Sequence, residues 1–422
     1  MAGVLYPWLN GSKYRKPITI TNNTGSILID YQVMFTLDTM NLISNSKMQS
    51  DGKDMRLTDS DGITQLDYWV EGGINTESTT TWVKVPFVST NSKTIYLYYG
   101  NESMVTNSST NTFIREINTN TPVKGAWRID EISGASVVDY SGNNNIGTAY
   151  GTMIVDGKFN KARNFNGNGD CVDIPDTDVL TLGTAATFTS WVNITTISEN
   201  YSSIINKWNQ AVDDEYIFGV NTNNTLVLAW HTNGGGNWGS SSWYSVNSVG
   251  TITLGEWAFV AVVRNNTTIT FYINGVEAGS SNPIDINPFR NGLVSVRIGG
   301  QNRSRMNRTI NGNIDETHIY SRALAAEEIA DIYNNYGYVT TNYIGRELVR
   351  KFTSPEPTTA VGAEDSLITK VGNAADWSWK IANYGELIKN GGVSNWQWKT
   401  FTNDETSITV PRGLAADWYW CQ

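Results

Sequence analysis

The sequence predicts an all-β protein built from tandem β-sandwiches, and three observations carry that prediction. Apolar and polar residues alternate with period two in short runs, Asn and Gly punctuate those runs, and one stretch alone has helical periodicity. The aromatic content, 16 Trp and 20 Tyr alongside 38 Gly, suits half-buried strands joined by tight polar turns. A chain of 422 residues is long for one sandwich, so more than one domain is expected. Its formal charge of −10 argues against nucleic acid or an anionic membrane as the main partner. No apolar run is long enough to cross a bilayer as a helix.

Residues 1–112 read as an N-terminal β-sandwich. Lys16 to Thr21 alternates apolar and polar and stops at Asn22, Asn23, Thr24 and Gly25. Further period-two runs cover Tyr31 to Leu37, Thr81 to Val85 and Thr94 to Gly100, with Asp51-Gly52 and Asp61-Gly62 as turns between them. Trp8, Tyr14 to Ile20, Asp54 to Asp59 and Ile95 to Asn101 together resemble a family of unknown function. That family precedes LamG-like domains in prokaryotic surface and phage-associated proteins. The resemblance implies a sandwich and brings no activity with it. Residues 113–125, at the end of an Asn/Ser/Thr-rich stretch, read as a linker.

Longer strands are expected across 126–336. Trp257 to Val263 is a near-continuous apolar run, as a strand covered on both faces requires. Thr268 to Ile273, then Asn274-Gly275, then Val276 onward is a hairpin, because Asn-Gly tolerates the positive φ angles of a type I′ turn. The helical stretch follows Ser321. It places Leu324, Ile329, Ile332 and Tyr333 on one face, with Glu327 and Glu328 in the first turn.

Four groups of residues in this segment, in this order, are Asp139 to Asn143, Phe165 to Val172, Gly255 to Trp257 with Ile273 to Gly275, and Asn311 to Leu324. Together they resemble the LamG-like jelly roll of the concanavalin A-like lectin/glucanase superfamily. The resemblance implies a jelly-roll core, carbohydrate binding, and in many members a structural Ca2+. Asp139 and Asp315, with Asn143, are the positions carried over as metal ligands, since that ion takes hard oxygen donors.

Residues 337–364 read as a strand followed by a stiff linker containing Pro355 and Pro357. Residues 365–422 read as a small Trp-rich β module. Trp377/Trp379, Trp396/Trp398 and Trp418/Trp420 are W-x-W pairs, which place two indoles on one face of a strand.

Glucanases on this fold need acidic residues at alternate strand positions, E-x-D-x(-x)-E, to hold nucleophile and acid about 5 Å apart. No such run exists here, and Asp213-Asp214-Glu215 and Glu327-Glu328 fit a loop and a helix start. His231 and His318 are the only histidines, and no G-x-S-x-G elbow occurs. A non-catalytic protein is expected.

Sugar recognition combines an aromatic plate under the ring with amides and hydroxyls at its edge. Trp230, His231, Asn237, Trp238, Trp243 and Tyr244, spaced by Gly and Ser, have that chemistry and are the expected carbohydrate contacts, with Trp208 as a secondary position. The partner expected is a polysaccharide or glycoconjugate. Residues 1–8 have neither the basic region nor the apolar core of a leader, so a virion component or a surface protein without its leader is expected. The alternative is a structural fibre, tail or capsid-decoration subunit assembled through residues 365–422. Two distant cysteines, Cys171 and Cys421, do not make a disulfide framework.

Overall fold

The computed structural model describes residues 8–117, 123–208, 214–231, 243–282, 287–301, 308–371 and 387–390. The chain divides into two compact units, Met1–Thr112 together with Pro355–Gln422, and Phe113–Ser354.

In the first unit, Tyr14–Thr21 pairs antiparallel with Ser92–Tyr99 on one side and Thr358–Val361 on the other. A second sheet consists of Leu28–Leu37, Thr79–Val88 and Tyr68–Gly72. Ile18, Ile20, Val33, Phe35, Val83, Val85, Ile95 and Leu97 form the core of this unit. The Asp54 to Asp59 motif is explained by its contacts. Asp54 accepts from the N–H groups of Gln49 and Gly100, and Arg56 donates to the carbonyls of Lys53, Met55 and Val105. Both side chains therefore satisfy buried main-chain groups where strands meet loops.

Two expected linkers are strands instead. Within 113–125, Arg115–Ile117 pairs with Glu347–Arg350, and the strand Val123–Trp127 pairs with Asn311–Tyr320. Within 337–364, Thr358–Val361 joins the sheet of the first unit. These strands are three to five residues long and gain their partners from hundreds of residues away, so no local periodicity announces them.

The second unit is a layered sandwich. One eight-stranded sheet runs in the order Ser136–Val137, Gly147–Tyr150, Cys171–Ile174, Val296–Ile298, Ser202–Lys207, Tyr216–Val220, Thr225–His231 and Trp243–Thr251. The other contains Ala185–Thr196, Ala258–Asn265, Thr268–Ile273 and Asn311–Tyr320 among its eight strands. Phe188, Val192, Phe218, Leu228, Val260 and Ile314 belong to the main apolar core of this unit. A further core, with Trp191, Phe259, Ala261, Ile329 and Ile332, includes the helix Ala326–Asn334. Alternate residues of Ala258–Asn265 thus serve two cores, which is why that run is apolar throughout. Asn274 and Gly275 have φ of 50° and 75°, and Ile273 pairs with Val276, as the type I′ turn demands. Glu328 receives the Ala325 N–H and pairs with Arg322, fixing the helix start.

Candidate functional site

Strand alternation divides the aromatic residues expected to contact sugar into two sets. Trp230 faces the core, is fully buried, and stacks on Tyr244 at 5.4 Å with 17° between the rings. Phe289 and the Arg264 guanidinium pack beside it. Trp230 is therefore a core residue and not a ligand contact, and Tyr244 packs against the same core.

His231 and Trp243 are register partners one step along, so they point to the opposite face of the sheet. There the His231 ring stacks on Trp208 at 5.3 Å and meets Trp243 at 5.1 Å. Trp208 and Trp243 meet edge to face at 4.9 Å, and Tyr201 lies 6.1 Å from Trp243. Ile217 and Ala229 form the floor. His231 is 1% exposed, and among the described residues neither of its ring nitrogens has a hydrogen-bond partner. Burial and the nearby Arg290 charge lower its pKa, so at neutral pH it keeps one donor and one acceptor nitrogen. Ser245 and Asn247 continue the face beyond Trp243. They bond to Tyr201 (3.4 Å) and Asn221 (2.9 Å). Asn237 and Trp238, the other expected contacts, lie outside the described residues. Tyr201 was not singled out from the sequence, where it follows a polar turn with no aromatic neighbour to mark it.

Residues 166–330 match the family model of the concanavalin A-like lectin/glucanases superfamily (Laminin_G_3). The second unit carries a concanavalin A-like domain. Residues 51–130 match a domain of unknown function (DUF2341). No curated protein matches the chain. Among solved structures, the binding domain of Paraclostridial Mosquitocidal Protein 1 is 18% identical, covering 50% of this chain and 52% of that one, with a TM-score of 0.40. Domain 4 of AbnA, an extracellular arabinanase from Geobacillus stearothermophilus in complex with arabinotriose, is 23% identical over 50% of this chain and 98% of that one, TM-score 0.39. The botulinum neurotoxin serotype G binding domain is 13% identical over 50% of each chain, TM-score 0.39. The chain spans about half the length of the two toxin domains.

In the concanavalin A-like domain the residues expected to hold calcium serve main-chain groups. Asp139 accepts from the N–H groups of Ala126 and Ser141 through Oδ1 and of Asn145 through Oδ2. Asn143 Nδ2 donates to the Val123 and Lys124 carbonyls. Asp315 is fully buried and accepts from the Phe159 N–H, and burial holds its pKa well above the usual carboxylate range. Among the described residues, no three His, Cys, Asp or Glu side chains form a metal-ligating group.

The same domain buries a polar cluster that the sequence did not announce. Tyr320 donates to Glu347 at 2.5 Å, and His318 Nδ1 lies 3.1 Å from the Tyr320 hydroxyl. Glu316 and Glu347 flank the His318 ring at 3.5 and 3.7 Å. Burial disfavours the imidazolium, but Glu347 and Glu316 outweigh it and push His318 up to about 9. The adjoining cavity, walled by Phe159, Trp191 and Tyr336, is water-sized.

Proposed function

We propose that the chain is a non-catalytic extracellular protein, of a cell surface or a virion, whose concanavalin A-like domain binds a polysaccharide or glycoconjugate. The observation that carries this reading is the pair Trp243 and Tyr201, both partly exposed, packed on the buried His231 and Trp208 rings on the sheet face away from the core. Trp243 and Tyr201 offer aromatic surface to the C–H face of a sugar ring. The exposed Ser245 and Asn247 side chains on the same face suit its hydroxyl rim. Trp238 belongs to the same loop by sequence and is proposed as a further contact. The non-catalytic reading rests on the missing E-x-D-x(-x)-E strand.

A glycan array probed with the full chain and with Trp243→Ala tests the proposal. Binding by the wild type that falls at least about tenfold in the variant is expected, the loss of one stacking contact of roughly 1.4 kcal/mol. Absence of binding by the wild type overturns the lectin reading. Release of reducing ends from a polysaccharide panel overturns the non-catalytic one.

A further inference from the structure

Beside the aromatic patch, Lys207 ends the strand Ser202–Lys207 with its side chain fully buried. Its Nζ lies 2.8 Å from Asp176 Oδ1, 2.5 Å from Glu215 Oε1 and 3.0 Å from the Gly292 carbonyl. Glu215 is also fully buried and accepts the Gly292 N–H at 2.6 Å, while Asp176 keeps 21% of its side chain exposed. Asp176 follows the strand Cys171–Ile174, so the three groups come from three separate chain segments. The cluster contains one ammonium and two carboxylates.

We propose that Lys207 and Asp176 are a covalent modification site, closing an amide bond between Lys207 Nζ and Asp176 Cγ with Glu215 as the proton carrier. The salt bridge already contains the reacting atoms. Glu215 takes a proton from Nζ, whose lone pair then attacks the Asp176 Cγ. The N–C bond forms, one C–O bond breaks, and the oxygen leaves as water with the two protons lost by the ammonium. Glu215 passes those protons on and ends as it began. Ammonium plus carboxylate becomes amide plus water, with no oxidant or co-reactant.

Two physical features favour the step. A buried ion pair is held against the desolvation of both ions, and a neutral amide removes that opposition while its N–H still reaches the Gly292 carbonyl. Burial, opposed by the Lys207 charge, pushes Glu215 up to about 7, so it can gain and release a proton near neutrality. The 2.8 Å contact of Nζ with Asp176 Oδ1 holds the two reacting groups together in advance.

Mass spectrometry of the full chain under denaturing conditions, before and after tryptic digestion, tests this. The wild type should be lighter than its sequence by one water, with a branched peptide joining the Lys207 and Asp176 segments. Asp176→Asn should still close, losing ammonia in place of water. Lys207→Arg should have its full sequence mass, and Glu215→Gln should stay open. Recovery of wild-type Lys207 and Asp176 in separate linear peptides overturns the proposal and leaves an ion-pair network. Closure of Glu215→Gln at the wild-type rate removes Glu215 from it.

Discussion

The imidazole of His231 lies on the indole of Trp208, ring centroids 5.3 Å apart and planes 25° from parallel. Trp208 is fully buried, so its truncation would cost roughly 3–5 kcal/mol and confuse binding with folding. His231 is buried as well, so Trp243→Ala, at a partly exposed position, is the informative variant. It should keep the thermal unfolding midpoint within a few degrees of wild type while weakening glycan affinity about tenfold or more. Isothermal titration with a bound glycan checks both quantities together with a melting scan.

The His318 cluster makes the concanavalin A-like domain sensitive to alkali. The folded imidazolium keeps its proton to about pH 9, against an ordinary value of 6.5. Its stabilisation is therefore whole below about pH 6.5 and is lost as pH rises through 9, on the order of 3 kcal/mol. Glu316, raised by burial, shifts stability in the same direction. Urea unfolding at a series of pH values should show falling stability across this window, and His318→Gln should flatten the fall.

Arg15 and Asp365 tie the returning segment to the first unit. Their 3.2 Å bond is accompanied by Trp8 and Tyr96, which sandwich the guanidinium at 4.5 and 4.6 Å. Asp365→Ala leaves a nearly buried cation without its carboxylate, and a loss of about 1–3 kcal/mol is expected. Arg15→Met, which retains the packing between the rings, should cost less. Chemical denaturation of the two variants checks the order.

Gly312 stands in the Asn311 to Glu316 motif with φ of 149°, and a Cβ there would lie 2.2 Å from the Asn193 carbonyl oxygen. Gly312→Ala should destabilise the domain by at least about 1–3 kcal/mol, because main chain and not a flexible side chain blocks the space. A lowered melting midpoint with unchanged glycan affinity at low temperature is the expected result.

Much of this fold was legible because periodicity is local. The Trp257 to Val263 run, the Asn274-Gly275 turn and the helix after Ser321 each declare themselves within a dozen residues. The candidate site was half legible for the same reason. Composition gathered Trp230, His231, Trp243 and Tyr244, but only the register Trp230↔Tyr244 and His231↔Trp243 separates core from opposite face. Trp208 and Tyr201 enter from another strand, which spacing does not reveal. Thr358–Val361 was illegible because two prolines and two threonines look like a spacer until the distant partner Tyr14–Thr21 is known. The W-x-W pairs of the C-terminal module lie outside the described residues.

That pairing has a mechanical consequence. Tyr14 sits opposite Ser366 and Thr21 opposite Thr358, so the flanking chain leaves both strands at the same end. Tension applied before Tyr14 and after Ser366 peels these strands apart one hydrogen bond at a time. Until the strands part, none of that tension is transmitted along residues 113–354, so the concanavalin A-like domain bears no load while the pairing holds.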